Sequence, residues 1–194
     1  ENLTVRAWCQ QFYLAEIPRI RFEKEAAIKL LESKWEDSRV FAMKFFREQF
    51  REEDWDISTL ITLADSVKPE VEAFGRELIT KYFNSDKGEE YLLKLSQHPS
   101  EKMQLFATNY LERFAVNDPV KLAGLEFYFR SVLTRVNKSR VAKDRIYRFL
   151  LEEGRKSPEA AGIVGQLLSD VSATAVAGDK SKCITILLQL KALY

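Results

Sequence analysis

Glycine and proline are scarce in this sequence, seven and five among 194 residues. That is too few for an all-β chain, which needs a turn signal every 8–12 residues or so. Only two cysteines occur, Cys9 and Cys183, far apart in the chain. They read as free buried thiols of a reducing cytoplasm, with a disulfide or a reactive thiol as the alternative. The single histidine, His98, directly precedes Pro99 and reads as an exposed turn residue rather than a catalytic base. No Cys/His cluster has metal-ligand spacing, and there is no glycine-rich phosphate loop or Gly-x-Ser-x-Gly elbow. The chain is therefore expected to be no enzyme and to need no metal or cofactor. The acidic cluster Glu52, Glu53, Asp54 and Asp56 lacks the spacing of a calcium loop and reads as a solvated turn. No apolar run approaches the ~20 residues of a membrane span, and no basic-apolar-small leader opens the sequence. A cytoplasmic protein with no membrane partner is the expectation. Glu1 opens the chain in place of Met, and Tyr194 closes it inside an apolar helical run; a piece of a longer protein is expected.

What is present is helix. Apolar residues make up 46 % and charged residues 30 %, the balance of a soluble globular chain. Phe41-Ala42, Phe74-Gly75 and Phe106-Ala107 recur 33 and 32 residues apart. At one common offset follow Phe45-Phe46, Leu78-Ile79 and Tyr110-Leu111, and Leu60, Ile61 and Leu63 return 32 residues later as Leu92, Leu93 and Leu95. A period in the thirties within helical sequence marks stacked helix pairs. Such units cannot bury an apolar face alone and present long surfaces to other molecules.

Apolar spacing and stop signals predict the helices. One runs from Asp37 or Ser38 to about Phe50, one from Trp55 to Asp65, and one from Pro69, where the missing N–H is harmless, to near Asn84. Gly88 to Gln97 follows, closed by His98-Pro99, and then Ser100 to Phe114. Beyond Asp118 the pattern loosens: Pro119 to Val136, Lys138-Ser139 to Glu153, Ser157-Pro158 to Ala175, a break at Gly178-Asp179, and Ser181 to Tyr194. In front, Leu3 to Leu14 and Phe22 to Leu31 form an imperfect pair around Pro18. The sum is ten or eleven helices in one domain, 1–194. The small residues Ala42, Gly75 and Ala107 would admit a close neighbouring helix. The many aromatics, Trp8, Trp35, Trp55 and thirteen Phe, read chiefly as core.

The stretch from Trp55 to Ser66, a proline turn, and Val71-Glu72-Ala73-Phe74-Gly75 resembles a HEAT repeat: a Leu-rich first helix, an Asp-containing turn, and a second helix opening with Val, a charge and a small residue. Asp37-Ser38-Arg39-Val40-Phe41-Ala42 is similar to the second-helix start. The likeness covers residues 36–114 well, 119–153 loosely and the ends poorly. It implies an all-α, right-handed α-α superhelix (solenoid) of about five HEAT-like hairpins. The tetratricopeptide family, with its 34-residue period, stands as the alternative, although its Trp-Leu-Gly-Tyr and Ala-Phe-Pro ladder is missing.

Charge carries the functional hint. Residues 120–156 hold ten Lys/Arg against four Asp/Glu, a local net of +6; the remainder holds twenty against twenty-five, a net of −5. The densest part is Lys138, Arg140, Lys143, Arg145 and Arg148, among which Asp144 is the one acid. The resemblance places this helix second in its pair, the position that tends to line the concave face. Helical spacing puts residues 138, 145 and 148 roughly on one face and 140 and 143 elsewhere. A polyanion or an acidic protein is one expected partner of these five residues, a solvated face balanced by neighbouring acids the alternative. The segment from Pro158 to Ala177 contains no Lys or Arg, and with the apolar end of the chain it would expose apolar surface for another protein. The expected function is a noncatalytic repeat scaffold for protein–protein interaction. The alternative is a nucleic-acid-binding solenoid working through residues 120–156, in outline like the HEAT-like DNA glycosylases. For these Asp54 and Asp56 beside Trp55 would be the adjacent carboxylates.

Overall fold

The computed structural model describes residues 2–84, 86–136 and 138–194. The chain is about 80 % helical and has no strand among the described residues, in keeping with an all-α class. It divides into two compact units, Glu1–Tyr82 and Phe83–Tyr194, where the sequence suggests one domain. No helix among the described residues is long and apolar enough to cross a membrane.

The first unit contains α1 (Leu3–Ala15), α2 (Ile17–Phe22), α3 (Lys24–Ile28), α4 (Glu36–Gln49), α5 (Ile57–Ala64) and α6 (Pro69–Tyr82). Short 3₁₀ turns follow α3 (Lys29–Glu32) and α4 (Glu52–Asp54). The helix expected from Phe22 to Leu31 is divided, because Glu23 leaves the helical region (φ −95°, ψ 33°). Pro18 sits in the first turn of α2 rather than between helices. Helix α4 begins at Glu36, with Trp35 in the cap position. Glu36 and Asp37 occupy its first turn and Arg47 its last, which suits the helix dipole. Its inward face, Ala42, Phe45 and Phe46, is buried. Phe46 meets Phe50 and Trp55 at centroid distances of 4.8 and 5.8 Å, both edge-on. Such pairs add about 0.5–1.5 kcal/mol to the burial of the rings themselves.

Helices α5 and α6 form a tight hairpin. The Asp56 carboxylate accepts the Thr59 N–H at 2.8 Å, capping α5, and Pro69 starts α6. Where they cross, a Cβ on Gly75 would lie 2.3 Å from the Ala64 nitrogen and 2.5 Å from the Leu63 carbonyl carbon. Only a residue without a side chain lets the two backbones come this close. Polar ties then join α4 to α6, and α3 to the turn that follows α4. Arg39 holds Glu70 at 2.5 Å, Arg47 grips both oxygens of Glu77 at 2.8 Å, and Lys24 donates to the Asp54 carbonyl at 3.0 Å. Each spans 30 or 31 residues of sequence.

The second unit contains α7 (Gly88–Gln97), α8 (Glu101–Ala107), α9 (Leu111–Phe114), α10 (Pro119–Gly124), α11 (Glu126–Leu133), α12 (Arg140–Gly154), α13 (Pro158–Thr174) and α14 (Ala177–Lys191). The helix expected over 100–114 is interrupted by a 3₁₀ turn, Thr108–Tyr110, and that over 119–136 breaks at Leu125. Gly178-Asp179 is no break. Both lie in the first turn of α14, and the interruption falls at Ala175 and Val176, whose backbones are extended. The core gathers Tyr128, Phe129, Ile146, Leu150, Val164 and Leu168. Burial raises the Tyr128 hydroxyl well above the ordinary phenol range. Ties here span 35–40 residues. Arg130 bridges Glu126 and Asp170 at 2.7 and 2.6 Å, Arg135 donates to the Ser96 carbonyl at 2.9 Å, and the Asn117 N–H donates to Glu153 at 2.8 Å. Buried Cys183 donates through its thiol to the Tyr147 hydroxyl at 3.6 Å.

Ala42, Gly75 and Ala107 are all buried, as are the apolar pairs that follow them. Phe74 is buried, whereas Phe41 and Phe106 are half-buried. Three aromatics depart from the core expectation: Trp8, Phe22 and Phe127 are 63 %, 89 % and 60 % exposed. In α1, whose apolar residues do not fall on a single stripe, no residue is buried.

Candidate functional site

The basic helix α12 is set by an unusual start. Ser139 takes a left-handed backbone (φ 59°, ψ 32°), which costs a non-glycine residue of order 1–3 kcal/mol unless its surroundings hold it. They do: its hydroxyl donates to the Gln104 amide oxygen at 2.5 Å and its N–H to Glu101 at 3.2 Å. Gln104 in turn donates to the His98 carbonyl at 2.7 Å. His98, half-buried rather than exposed, accepts the Ser100 N–H on Nδ1 at 3.2 Å, a turn-closing role.

Because Lys138 precedes this left-handed residue, it lies outside the periodicity of α12, and the sequence-based grouping of 138 with 145 and 148 does not describe the surface. Lys138, Arg140 and Lys143 line one cleft of about 370 Å³, together with Gly178, Asp179 and Lys182 from the start of α14. Arg145 and Arg148 line another of about 310 Å³ with Thr108, Asn109, Glu112 and Glu152. The five basic residues are thus divided between two places, and neither place is purely basic.

Their partners differ. Lys143 is buried, 3 % exposed; its ammonium pairs with Asp179 at 2.6 Å and donates to the Arg135 carbonyl. Arg145 donates to Asn109 at 2.8 Å and to the Thr108 hydroxyl at 3.2 Å. Asp144 pairs with Lys182. Lys138, Arg140 and Arg148 are exposed and have no ion-pair or hydrogen-bond partner among the described residues. Asp179 and Lys182 were missed by reasoning from sequence. They lie 36 and 38 residues beyond Lys143 and Asp144, farther than the 32–33-residue spacing of the sequence motif, so that spacing does not find them.

The other candidates have structural roles. Trp55 is buried against Phe46 and Phe50. Asp54 pairs with Arg21 at 3.5 Å and accepts the Arg51 N–H at 2.8 Å. Burial alone would raise the Asp56 carboxyl, but hydrogen bonds from Thr59 outweigh it and hold the group below the usual carboxylate range. Among the described residues, no three His, Cys, Asp or Glu side chains are grouped so as to hold a metal ion.

The last helix presents a different surface. Cys183, Ile186 and Leu190 of α14 face inward and are buried, while Ile184 and Leu188, one turn apart, are 46 % and 63 % exposed. Leu193 and Tyr194 are exposed just beyond. Helix α14 therefore packs one apolar face and shows two bare apolar side chains, Ile184 and Leu188, on an outer face that also carries Lys180, Ser181, Thr185 and Lys191. No protein-family model, no curated protein and no solved structure matches this chain.

Proposed function

We propose that this chain is a HEAT-like helical-repeat scaffold that binds another protein, and that the outer face of α14 is part of its contact surface. The observation that carries the reading is the group of exposed apolar side chains Ile184, Leu188, Leu193 and Tyr194 at the end of the chain. Ile184 and Leu188, one turn apart, stand bare on a helix whose inner face, Cys183, Ile186 and Leu190, is already packed. Support for a repeat arrangement comes from the buried small residues at positions 42, 75 and 107 and from ties in the first unit that span 31 and 30 residues, close to the motif spacing. A helical pair bound chiefly to its neighbours leaves its edges free to meet other molecules.

A nucleic-acid partner at residues 120–156 draws less support. Phosphate tracking needs a continuous run of free cations, whereas here Lys143 and Arg130 are already paired with acids and the remainder is split between two clefts. Two measurements separate the readings. A photo-crosslinker at position 188 should give discrete protein adducts in extracts of the source cell, lost on Ile184→Glu. Duplex-DNA binding should be weak at about 50 mM salt. Tight, steeply salt-dependent DNA binding that Arg140→Glu plus Arg148→Glu abolishes would overturn the protein-scaffold reading.

A further inference from the structure

We propose that the cleft between the start of α12 and the start of α14 binds a phosphomonoester group, a role that goes beyond protein docking and depends on none of the apolar residues invoked for it. Four cations converge there, Lys138, Arg140, Lys143 and Lys182, and one carboxylate, Asp179, lies among them. Lys143 is committed to Asp179, and Lys182 to Asp144 at the rim. This leaves Lys138 and Arg140 as the two cations of the cleft without an ion-pair or hydrogen-bond partner among the described residues, with the Glu101 carboxylate held on the Ser139 N–H between them. The buried Lys143–Asp179 pair forms a fixed floor, since the ammonium is also held by the Arg135 carbonyl.

Geometry favours a compact anion over an extended one. Arg140 offers a planar fork of donors suited to two oxygens of a phosphate, and Lys138 offers a mobile point charge. On the opposite wall α14 begins at Ala177 with no side chain capping its first N–H groups. At Gly178 no atom of a neighbouring residue lies within 4 Å of where a Cβ would be, so the backbone can be approached closely. A phosphomonoester carries about two negative charges above its second pKa of ~6 and can meet both unpartnered cations, Lys138 and Arg140, at once. A phosphodiester carries only one charge.

The test uses the whole chain and defined probes: inorganic phosphate, N-acetyl-phosphoserine amide, its unphosphorylated counterpart, and a short duplex DNA. Binding is followed by amide chemical-shift changes in ¹H–¹⁵N spectra. The expected result is saturable movement of the Gly178, Asp179 and Lys182 amides with the two phosphomonoesters and none with the unphosphorylated amide. Lys138→Gln with Arg140→Gln should weaken it by about tenfold or more; both side chains are exposed, so the fold is retained, as an unchanged melting profile would show. Tighter binding of phosphoserine amide than of phosphate points to a phosphoprotein, and the reverse order to a small phosphorylated metabolite; either supports the site. Absence of saturable shifts, shifts indifferent to the double variant, or DNA binding at these amides as tight as that of the phosphomonoesters would overturn it. A protein adduct at position 188 would stand in every case, so the two proposals fail separately.

Discussion

Replacing Gly75 with alanine tests the close crossing of α5 and α6 more sharply than any truncation of the core. In an exposed helix Gly→Ala is stabilising by roughly 0.5–1 kcal/mol, because glycine loses more backbone freedom on folding. At Gly75 the added carbon would sit 2.3 Å from the Ala64 nitrogen, 2.5 Å from the Leu63 carbonyl carbon and 2.8 Å from the Ala64 Cα. All three are backbone atoms, so no rotamer change relieves them. Ordinary contact requires the helices to part by about 1 Å, and overpacking of this kind costs typically 1–3 kcal/mol. After the propensity gain, a net loss of about 1–2 kcal/mol is expected. Gly162→Ala in α13 is the matched control, since no atom of a neighbouring residue lies within 4 Å of its Cβ position; a gain of about 0.5–1 kcal/mol is expected there. The three tryptophans, Trp8, Trp35 and Trp55, all belong to the unit Glu1–Tyr82, so urea unfolding followed by tryptophan fluorescence reports the Gly75 variant locally. Far-UV circular dichroism reports Gly162→Ala. A Gly75→Ala protein as stable as its parent, or two glycines responding with the same sign, would refute the reasoning.

Lys143→Met should destabilise by about 3–5 kcal/mol, because it leaves the Asp179 carboxylate without its cation in a largely buried setting; adding Asp179→Asn should recover most of the loss. Thermal melts of the two variants check this, and a single variant as stable as its parent would exclude it. A pH dependence is expected at the Arg47–Glu77 pair, whose hydrogen bonds hold the Glu77 carboxyl below its ordinary range. A depressed folded-state pKa contributes stability above the unfolded value of about 4.3 and loses it as pH falls through the folded value. Wild type and Glu77→Gln should therefore differ near pH 7, by about 1 kcal/mol or less for so exposed a pair. The gap should narrow as pH falls below the ordinary glutamate range and through the lower folded-state value, as read from urea midpoints by fluorescence; a gap independent of pH would contradict the assignment.

Elements whose ends are written in local chemistry were legible from sequence. Helix α7 runs from Gly88 to Gln97 as expected, because His98-Pro99 forbids continuation. Pro69 opens α6 as expected for an equally local reason, while α5, expected from Trp55, starts at Ile57 behind the Asp56 cap. Where tertiary partners decide, the sequence misleads. Gly178-Asp179 has the composition of a turn, yet Asp179 is drawn to Lys143, 36 residues away, and an acid in a first turn favours the helix. Thr108–Tyr110 interrupts an expected helix with neither proline nor glycine at the break, while the other expected helix breaks at Leu125, directly after Gly124. Of the candidate site, Lys138, Arg140 and Lys143 were legible, whereas Asp179, Lys182 and the geometry were not. Helical periodicity presumes a helix, and Lys138 lies before the left-handed turn at Ser139 that starts one.

That turn bears on how charge in such a chain is read. The excess over residues 120–156 sums neighbours along the sequence, whereas a side chain responds to neighbours in space, and here those lie about 36 residues away. Counted in that way much of the excess disappears. Three acids from outside the segment offset it: Asp170 meets Arg130, Asp179 meets Lys143 and, nearer by, Asp118 meets Lys121, while Lys156 meets Glu153 within it. Arg135, Arg145 and Arg155 spend their donors on neutral oxygens. The cations left over are Lys138, Arg140 and Arg148, and two of those three open into one cleft. An external anion gains most where positive charge is both unpartnered and walled, because screening by water and salt is weaker there than on an open helix face. Lys138 and Arg140 meet that condition on opposite sides of Ser139, which is why the small turn, and not the length of the basic helix, sets the size of anion the surface can hold.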